Sequence, residues 1–206
     1  MRTVRDHYFR KAKEEGYPAR SVYKLKEIQA KFRLLRQGDA VVDLGASPGS
    51  WTRYCLEVAG PGGAVVAVDR HELKPGARGA VFLQDDVFQL DPGRLLAVRP
   101  RYDVVLSDMA PKTTGRRDVD HYRSVALADR ALEIARAVLR PGGRFCAKVF
   151  QGEDLEDFRR RCQVDFRTVR LFKPRSSRPE SVEVFIVGLD FRPSAGAGIA
   201  SGPGAG

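Results

Sequence analysis

From Ala40 to Phe191, short apolar runs alternate with longer polar or amphipathic stretches. The runs are Ala40–Gly45, Ala64–Asp69, Val81–Asp86, Tyr102–Asp108, Arg144–Phe150, Thr168–Phe172 and Val182–Asp190. Each has the length of a strand, and most are nearly continuous in Val, Ile, Leu, Phe or Ala. Strands of that kind are buried on both faces, as in a parallel sheet covered by helices. Between the fourth and fifth runs, Val125, Ala128, Ala131, Leu132, Ala135, Val138 and Leu139 recur at steps of three and four, which predicts an amphipathic helix. Pro141-Gly142-Gly143 is expected to stop that helix and turn the chain into the next strand. Only Lys173–Ser181 separates the last two runs, too little for a helical crossover, so they are expected to pair antiparallel. The expected fold class is α/β, a mostly parallel sheet with helices on both faces.

Ahead of the sheet, residues 1–38 read as two short basic helices broken near Gly16-Tyr17-Pro18. Ser21 is the expected cap of the second, with Val22, Leu25 and Ile28 on its apolar face. Residues 193–206 are almost all Gly, Ala, Ser and Pro, hold too little apolar surface to order themselves, and are expected to form a flexible tail. Residues 1–192 then form one expected domain.

Composition changes the picture mainly through charge. Hydrophobic residues make up 43%, which is ordinary, but the formal net charge is +10. The excess is local: residues 1–39 hold eleven Lys/Arg against five Asp/Glu, and residues 157–178 hold eight against two. Two basic segments flanking a balanced middle suggest a polyanion footprint, against the plainer reading of a solubilising surface. Cys55, Cys146 and Cys162 form no C-x-x-C pair and no metal-ligand spacing with His7, His71 or His121, so neither a disulfide framework nor a metal site is expected. No apolar stretch is long enough to span a bilayer and no signal peptide is visible, which makes a reduced cytoplasmic protein, without membrane attachment, the expectation.

The candidate chemistry lies where charges interrupt the strands. Asp108 ends the fourth run, Lys148 sits inside the fifth and Glu183 inside the last. Charges enter buried strands when they are paired or functional. The first run ends in Asp43-Leu44-Gly45-Ala46-Ser47-Pro48-Gly49-Ser50-Trp51 ahead of a helix, a strand–glycine turn–helix unit of the nucleotide-binding kind. It lacks both the G-x-G-x-x-G of dinucleotide folds and the G-K-[ST] of a phosphate loop, so it suits a ligand with adenosine and no pyrophosphate. Asp69 ends the second run, placed to accept from ribose hydroxyls, and Asp86 ends the third, placed for the adenine amino group.

Together these residues resemble the FtsJ-type (RrmJ-like) family of S-adenosylmethionine-dependent ribosomal RNA 2′-O-methyltransferases. The segments that carry the resemblance are Asp43–Trp51, Ser107-Asp108-Met109-Ala110-Pro111, Lys148–Gly152, Glu183–Val187 and Arg20–Leu25, spread over roughly Tyr17 to Leu189. The resemblance implies a Rossmann-like fold with seven strands, the last antiparallel. It places a catalytic tetrad on Lys24, Asp108, Lys148 and Glu183, and contacts to S-adenosylmethionine on Gly49, Trp51, Asp69, Asp86 and Asp108. Ser47-Pro48-Gly49-Ser50, Lys112 and Phe185 depart from the family's usual residues, and none of them is a member of the tetrad.

The reaction so implied is methylation of a ribose 2′-OH in 23S ribosomal RNA, at a uridine of the peptidyl-transferase region in the assembled large subunit, by a monomer. Lys148 either acts as a neutral general base or stays charged and stabilises the developing alkoxide while water or Asp108 takes the proton. A free lysine loses its proton near about pH 10.4, so the first version needs Lys24 and burial to act on Lys148. Arg5, Arg10, Lys11, Lys13, Arg20, Lys24 and Lys26 are expected along one side of the cleft, extended by Arg159–Arg161, Arg167, Arg170, Lys173, Arg175 and Arg178. Tyr8, Phe9, Tyr17 and Tyr23 either stack on bases or anchor the N-terminal helices. Rival readings are a methyltransferase of tRNA or another RNA, a small-molecule methyltransferase, and a non-catalytic RNA-binding assembly factor.

Overall fold

Two helices come first, α1 (Val4–Glu14) and α2 (Val22–Phe32), and the alternation predicted from the apolar runs follows. Its elements are β1 (Ala40–Leu44), α3 (Ser50–Ala59), β2 (Ala64–Asp69), β3 (Val81–Gln84), α4 (Pro92–Val98), β4 (Tyr102–Ser107), α5 (Arg117–Val138), β5 (Leu139–Phe150), α6 (Leu155–Asp165), β6 (Phe166–Phe172) and β7 (Glu183–Phe191). The computed structural model describes residues 4–178 and 180–193. The tail expected from residue 193 onward lies, past Pro193, outside the described residues.

The strands form one seven-stranded sheet in the order β3-β2-β1-β4-β5-β7-β6. β1 pairs in parallel with β2 and β4, β2 with β3, and β4 with β5. β7 enters between β5 and β6 and runs antiparallel to both. The short Lys173–Ser181 connection points to the pairing with β6, and the family resemblance to an antiparallel last strand. The strand order reverses between β1 and β4, which opens a crevice at their carboxyl ends.

Neighbouring residues on the central strands face opposite layers. Val42, Leu44, Val105 and Phe145 pack with Ala128, Leu132, Ala135 and Phe158 of α5 and α6. Val41, Val104, Leu106 and Cys146 pack with Leu25, Ile28, Trp51 and Cys55 of α2 and α3. Two layers of buried side chains explain why the runs carry no alternation, and each fully buried Leu or Phe contributes roughly 1.5–3 kcal/mol.

Two local expectations are corrected. Ser21 occupies the N-cap position of α2, but its own backbone is already helical and its side chain makes no capping bond. Pro141-Gly142-Gly143 does not form a separate turn. Tyr102 of β4 faces Leu139 while Val104 faces Arg144, so residues 140–143 bulge out within β5. Gly142 there has φ +76, and a side chain on Gly143 would meet the Arg140 carbonyl at 2.9 Å.

Candidate active site

The β1–α3 turn owes its shape to two glycines. Gly45 (φ +74) passes Met109 so closely that a Cβ would stand 2.4 Å from its Cγ, and Gly49 (φ +104) faces Ala77 and Leu73. Neither position tolerates an L side chain without strain. Beside this turn opens a cavity of about 540 Å³, within the range of small-molecule sites. Its walls are the ends of β1, β2 and β4 (Gly45, Asp69, Asp108), the segment after β3 (Asp85, Asp86, Phe88) and the start of α5 (Tyr122, Arg123).

The acids along its rim are partly engaged. Asp69 accepts the Ser47 N–H at 3.0 Å and the His71 N–H at 2.8 Å, one on each oxygen. A carboxylate has about four lone-pair sites, so Asp69 retains acceptor capacity for a hydroxyl pair. Asp86 accepts the Phe88 N–H at 3.0 Å and stands 3.5 Å from Arg70, and Asp85 pairs with Arg94. β3 ends at Gln84, two residues short of the predicted end, so both acids lie in the loop that follows it.

Past Asp108 the four charges of the expected tetrad meet. Lys148 Nζ donates to the Asp108 carbonyl at 2.6 Å and to its Oδ1 at 3.0 Å. Glu183 Oε1 lies 3.7 Å from the same nitrogen. The other oxygen of Glu183 accepts from Lys24 Nζ at 2.6 Å. Lys24 comes from α2, Asp108 from the end of β4, Lys148 from β5 and Glu183 from the first position of β7. The β5–β7 register sets Phe150 opposite Glu183, which carries the carboxylate to the Lys148 end of the strand. Burial raises the Glu183 carboxyl, but the two ammonium groups more than offset it and hold the pKa below its ordinary value.

Trp51 and Gly49, expected beside the cofactor, are not on the cavity wall. Trp51 is buried, stacks on Phe185 with ring centroids 5.7 Å apart, and donates from Nε1 to the Ser21 carbonyl at 2.9 Å. Ser50 Oγ accepts the Ala19 N–H at 2.7 Å. The first turn of α3 therefore anchors the segment that leads into α2 and sets where Lys24 starts. Tyr8, Tyr17, Tyr23 and Tyr54 cluster on the same side, with the Lys26 ammonium 4.4 Å from the Tyr17 ring. Of the four N-terminal aromatics, only Phe9 is largely exposed, at 61%.

Sequence reasoning missed Asp43, a charge inside the first apolar run that looked like part of the loop motif. It is fully buried, and only its Oδ2 is bonded, to the Thr52 hydroxyl at 2.6 Å. Burial pushes its pKa up to about 7, with Asp108 and Asp69 adding to the rise and the Thr52 hydroxyl opposing it. Met109 and Lys112, in the loop after β4, and Tyr122 and Arg123, near the start of α5, were also missed as cavity residues, since neither a loop nor a helix start shows a periodic signal of what it faces. Among the described residues no cluster of His, Cys, Asp and Glu is placed to hold a metal ion, and no helix is long and apolar enough to cross a membrane.

The strand order, the antiparallel β7 and the acid-rimmed cavity at the switch point define a Rossmann-like methyltransferase domain. The family described as FtsJ-like methyltransferase matches residues 17–191, and the chain belongs to that family. It is 48% identical over 194 residues to the ribosomal RNA large subunit methyltransferase E of Syntrophobacter fumaroxidans, covering 93% of this chain and 98% of that protein. The enzyme of the same name from Oleidesulfovibrio alaskensis is 47% identical over 195 residues, covering 93% and 94%. Among solved structures, one described as a ribosomal RNA methyltransferase from Plasmodium falciparum superposes with a TM-score of 0.76 at 23% identity, covering 85% of this chain and 98% of that one. That last likeness concerns the fold.

Proposed function

We propose that this enzyme uses S-adenosylmethionine to methylate a ribose 2′-OH in large-subunit ribosomal RNA. The observation that carries the reading is the continuous chain Asp108–Lys148–Glu183–Lys24 beginning at the rim of a nucleoside-sized cavity. Asp69 would hold the ribose of the cofactor, Asp86 its adenine edge, and Asp108 the end nearest the lysines. Bound there, S-adenosylmethionine supplies an electrophilic methyl group, so the protein needs only to orient the acceptor and handle its proton. Gly49 and Trp51 would act from behind, by shaping the β1–α3 turn.

Lys148 is the group best placed to touch the 2′-oxygen. Its Nζ donates to two oxygens of Asp108 and has the Glu183 carboxylate 3.7 Å away, a setting for an ammonium that leaves one N–H to aim at the acceptor. This arrangement favours the version in which Lys148 stays charged and stabilises the oxygen as its proton leaves to Asp108 or water. Glu183 keeps the two lysines apart and aimed, and Lys24 adds a second positive charge beside the acceptor.

The RNA is expected along α1, where Arg10, Lys11 and Lys13 are exposed, and along the β6–β7 loop, where Lys173, Arg175 and Arg178 are exposed. α6 does not extend this wall. Its Arg159, Arg160 and Arg161 pair with Glu156, Asp157 and Asp129, and the helix lies in the opposite layer. Phosphate contacts supply affinity without choosing a sequence. The resemblance to the family supports a uridine of the peptidyl-transferase region in assembled subunits as the target.

The test is transfer of labelled methyl from S-adenosylmethionine to undermethylated large subunits, free ribosomal RNA and tRNA in parallel, followed by digestion to nucleosides. A 2′-O-methyluridine from subunits is the expected product. Label on tRNA would replace the substrate, and no transfer to any RNA would overturn the reading.

A further inference from the structure

α2 packs against the β6–β7 loop at the point where Lys24 meets Glu183. Lys24 and Glu27 are three positions apart and share one face of α2, and Arg20 lies just ahead of the helix, one residue before its N-cap position. Arg20 Nη2 donates to the Ser176 carbonyl at 2.8 Å. Glu27 accepts two backbone N–H groups, Arg175 at 2.7 Å on Oε2 and Ser176 at 2.8 Å on Oε1. Lys24 lies between these two grips and reaches Glu183 at 2.6 Å.

All three contacts land on one stretch of chain. The loop turns through a bond from the Ser177 N–H to the Pro174 carbonyl at 3.1 Å. It ends with Ser181 Oγ accepting the Glu183 N–H at 3.2 Å, which fixes the backbone of the carboxylate itself. Glu27 thus spends both oxygens on loop amides, and bonds with an ionised acceptor are the strong kind. A misplacement of about 1 Å in a reacting group can lower a rate by up to roughly a hundredfold. Lysine is exposed to that loss because its four-carbon stem is flexible.

We propose that Glu27 is a positioning residue for methyl transfer: its grip on the Arg175 and Ser176 amides sets the spacing between α2 and the β6–β7 loop, and with it the Lys24–Glu183 contact. The proposal rests on the reading that Lys24 and Glu183 serve the reaction.

Glu27→Ala and Glu27→Gln would be compared with the wild type on undermethylated large subunits. Cofactor affinity, melting temperature and hydrogen exchange at the Arg175 and Ser176 amides would be measured alongside. Glu27→Ala is expected to lower kcat about tenfold and speed exchange at both amides, with cofactor Kd and melting temperature nearly unchanged. Glu27→Gln, which keeps one acceptor oxygen, should recover part of the rate. In a Lys24→Ala background under single turnover, Glu27→Ala should add less than about a twofold effect, because its influence passes through Lys24. A wild-type kcat in Glu27→Ala, or a full tenfold loss in the Lys24→Ala background, would overturn the proposal. So would a parallel loss of kcat, cofactor affinity and melting temperature, which marks a general structural role. Failure of the wild type to methylate any RNA is a separate result that strikes the reading of the site, not the grip of Glu27.

Discussion

Three buried sites in this chain show different fates of a charge. Arg144 and Asp39 pair at 2.7 Å at the far end of the sheet and hold the strand ends together. Asp43 is buried with one oxygen unbonded beneath the glycine turn. Lys148 joins two carboxylates at the crevice. From sequence, Lys148 and Asp108 were legible because each breaks or ends an apolar run where a parallel sheet has its crevice. Asp43 was not, because its neighbours already explained it as loop.

Asp43 and Lys148 each carry a prediction. The folded state holds the Asp43 proton up to about pH 7, whereas the ordinary value is near 3.8. Between these values the folded protein binds more protons than the unfolded one, so this group erodes stability as pH rises through the window. Asp43→Asn removes that titration, and its stability relative to wild type, read from urea midpoints, should be greater near pH 8 than near pH 5. Lys148→Arg keeps the positive charge and cannot act as a neutral base. If Lys148 works as a cation, this variant retains measurable turnover with a pH–rate profile like the wild type. A rate lost entirely in Lys148→Arg, together with a wild-type rate that climbs toward the lysine range, would favour the neutral base.

Among elements, the strands were the most legible and the ends of helices the least. β2 runs over the predicted residues, and β1 and β4 stop within one residue of the predicted ends. A run of apolar residues buried in two layers leaves a dense signal. The role of the α3 turn was hidden, because the bonds from Ser50 and Trp51 to Ala19 and Ser21 join segments about thirty positions apart, and nothing local announces them. The β1–α3 turn gives a test at this scale. In Gly45→Ala the new Cβ would press on Met109, and the backbone would hold a left-handed conformation. The variant should lose about 1–3 kcal/mol of stability and bind S-adenosylmethionine more weakly, as calorimetry would show.

At the scale of the whole molecule, the +10 charge is not one continuous field. The two basic segments seen in the sequence divide by layer: α1, α2 and the β6–β7 loop lie on the side of Lys24, while the arginines of α6 are neutralised by acids of α6 and α5 in the other layer. Linear counting could not show this, because it adds arginines without seeing which acids, one turn away or on the neighbouring helix, face them. The division predicts an asymmetry. Lys13→Gln should weaken subunit binding and flatten its dependence on salt by roughly 0.7–0.9 in the log–log slope, whereas Arg160→Gln should change neither.

The account as a whole depends on the four charges acting on a ribose hydroxyl beside the cofactor cavity. The most direct measurement is the single-turnover rate of methyl transfer to undermethylated large subunits by wild type and Lys148→Ala, with S-adenosylmethionine affinity measured on both. The account predicts 2′-O-methyluridine from the wild type, a rate at least about a hundredfold lower in Lys148→Ala, and similar cofactor affinity in the two. An unchanged rate in Lys148→Ala, or a methyl group found on a base instead of a ribose, would contradict it.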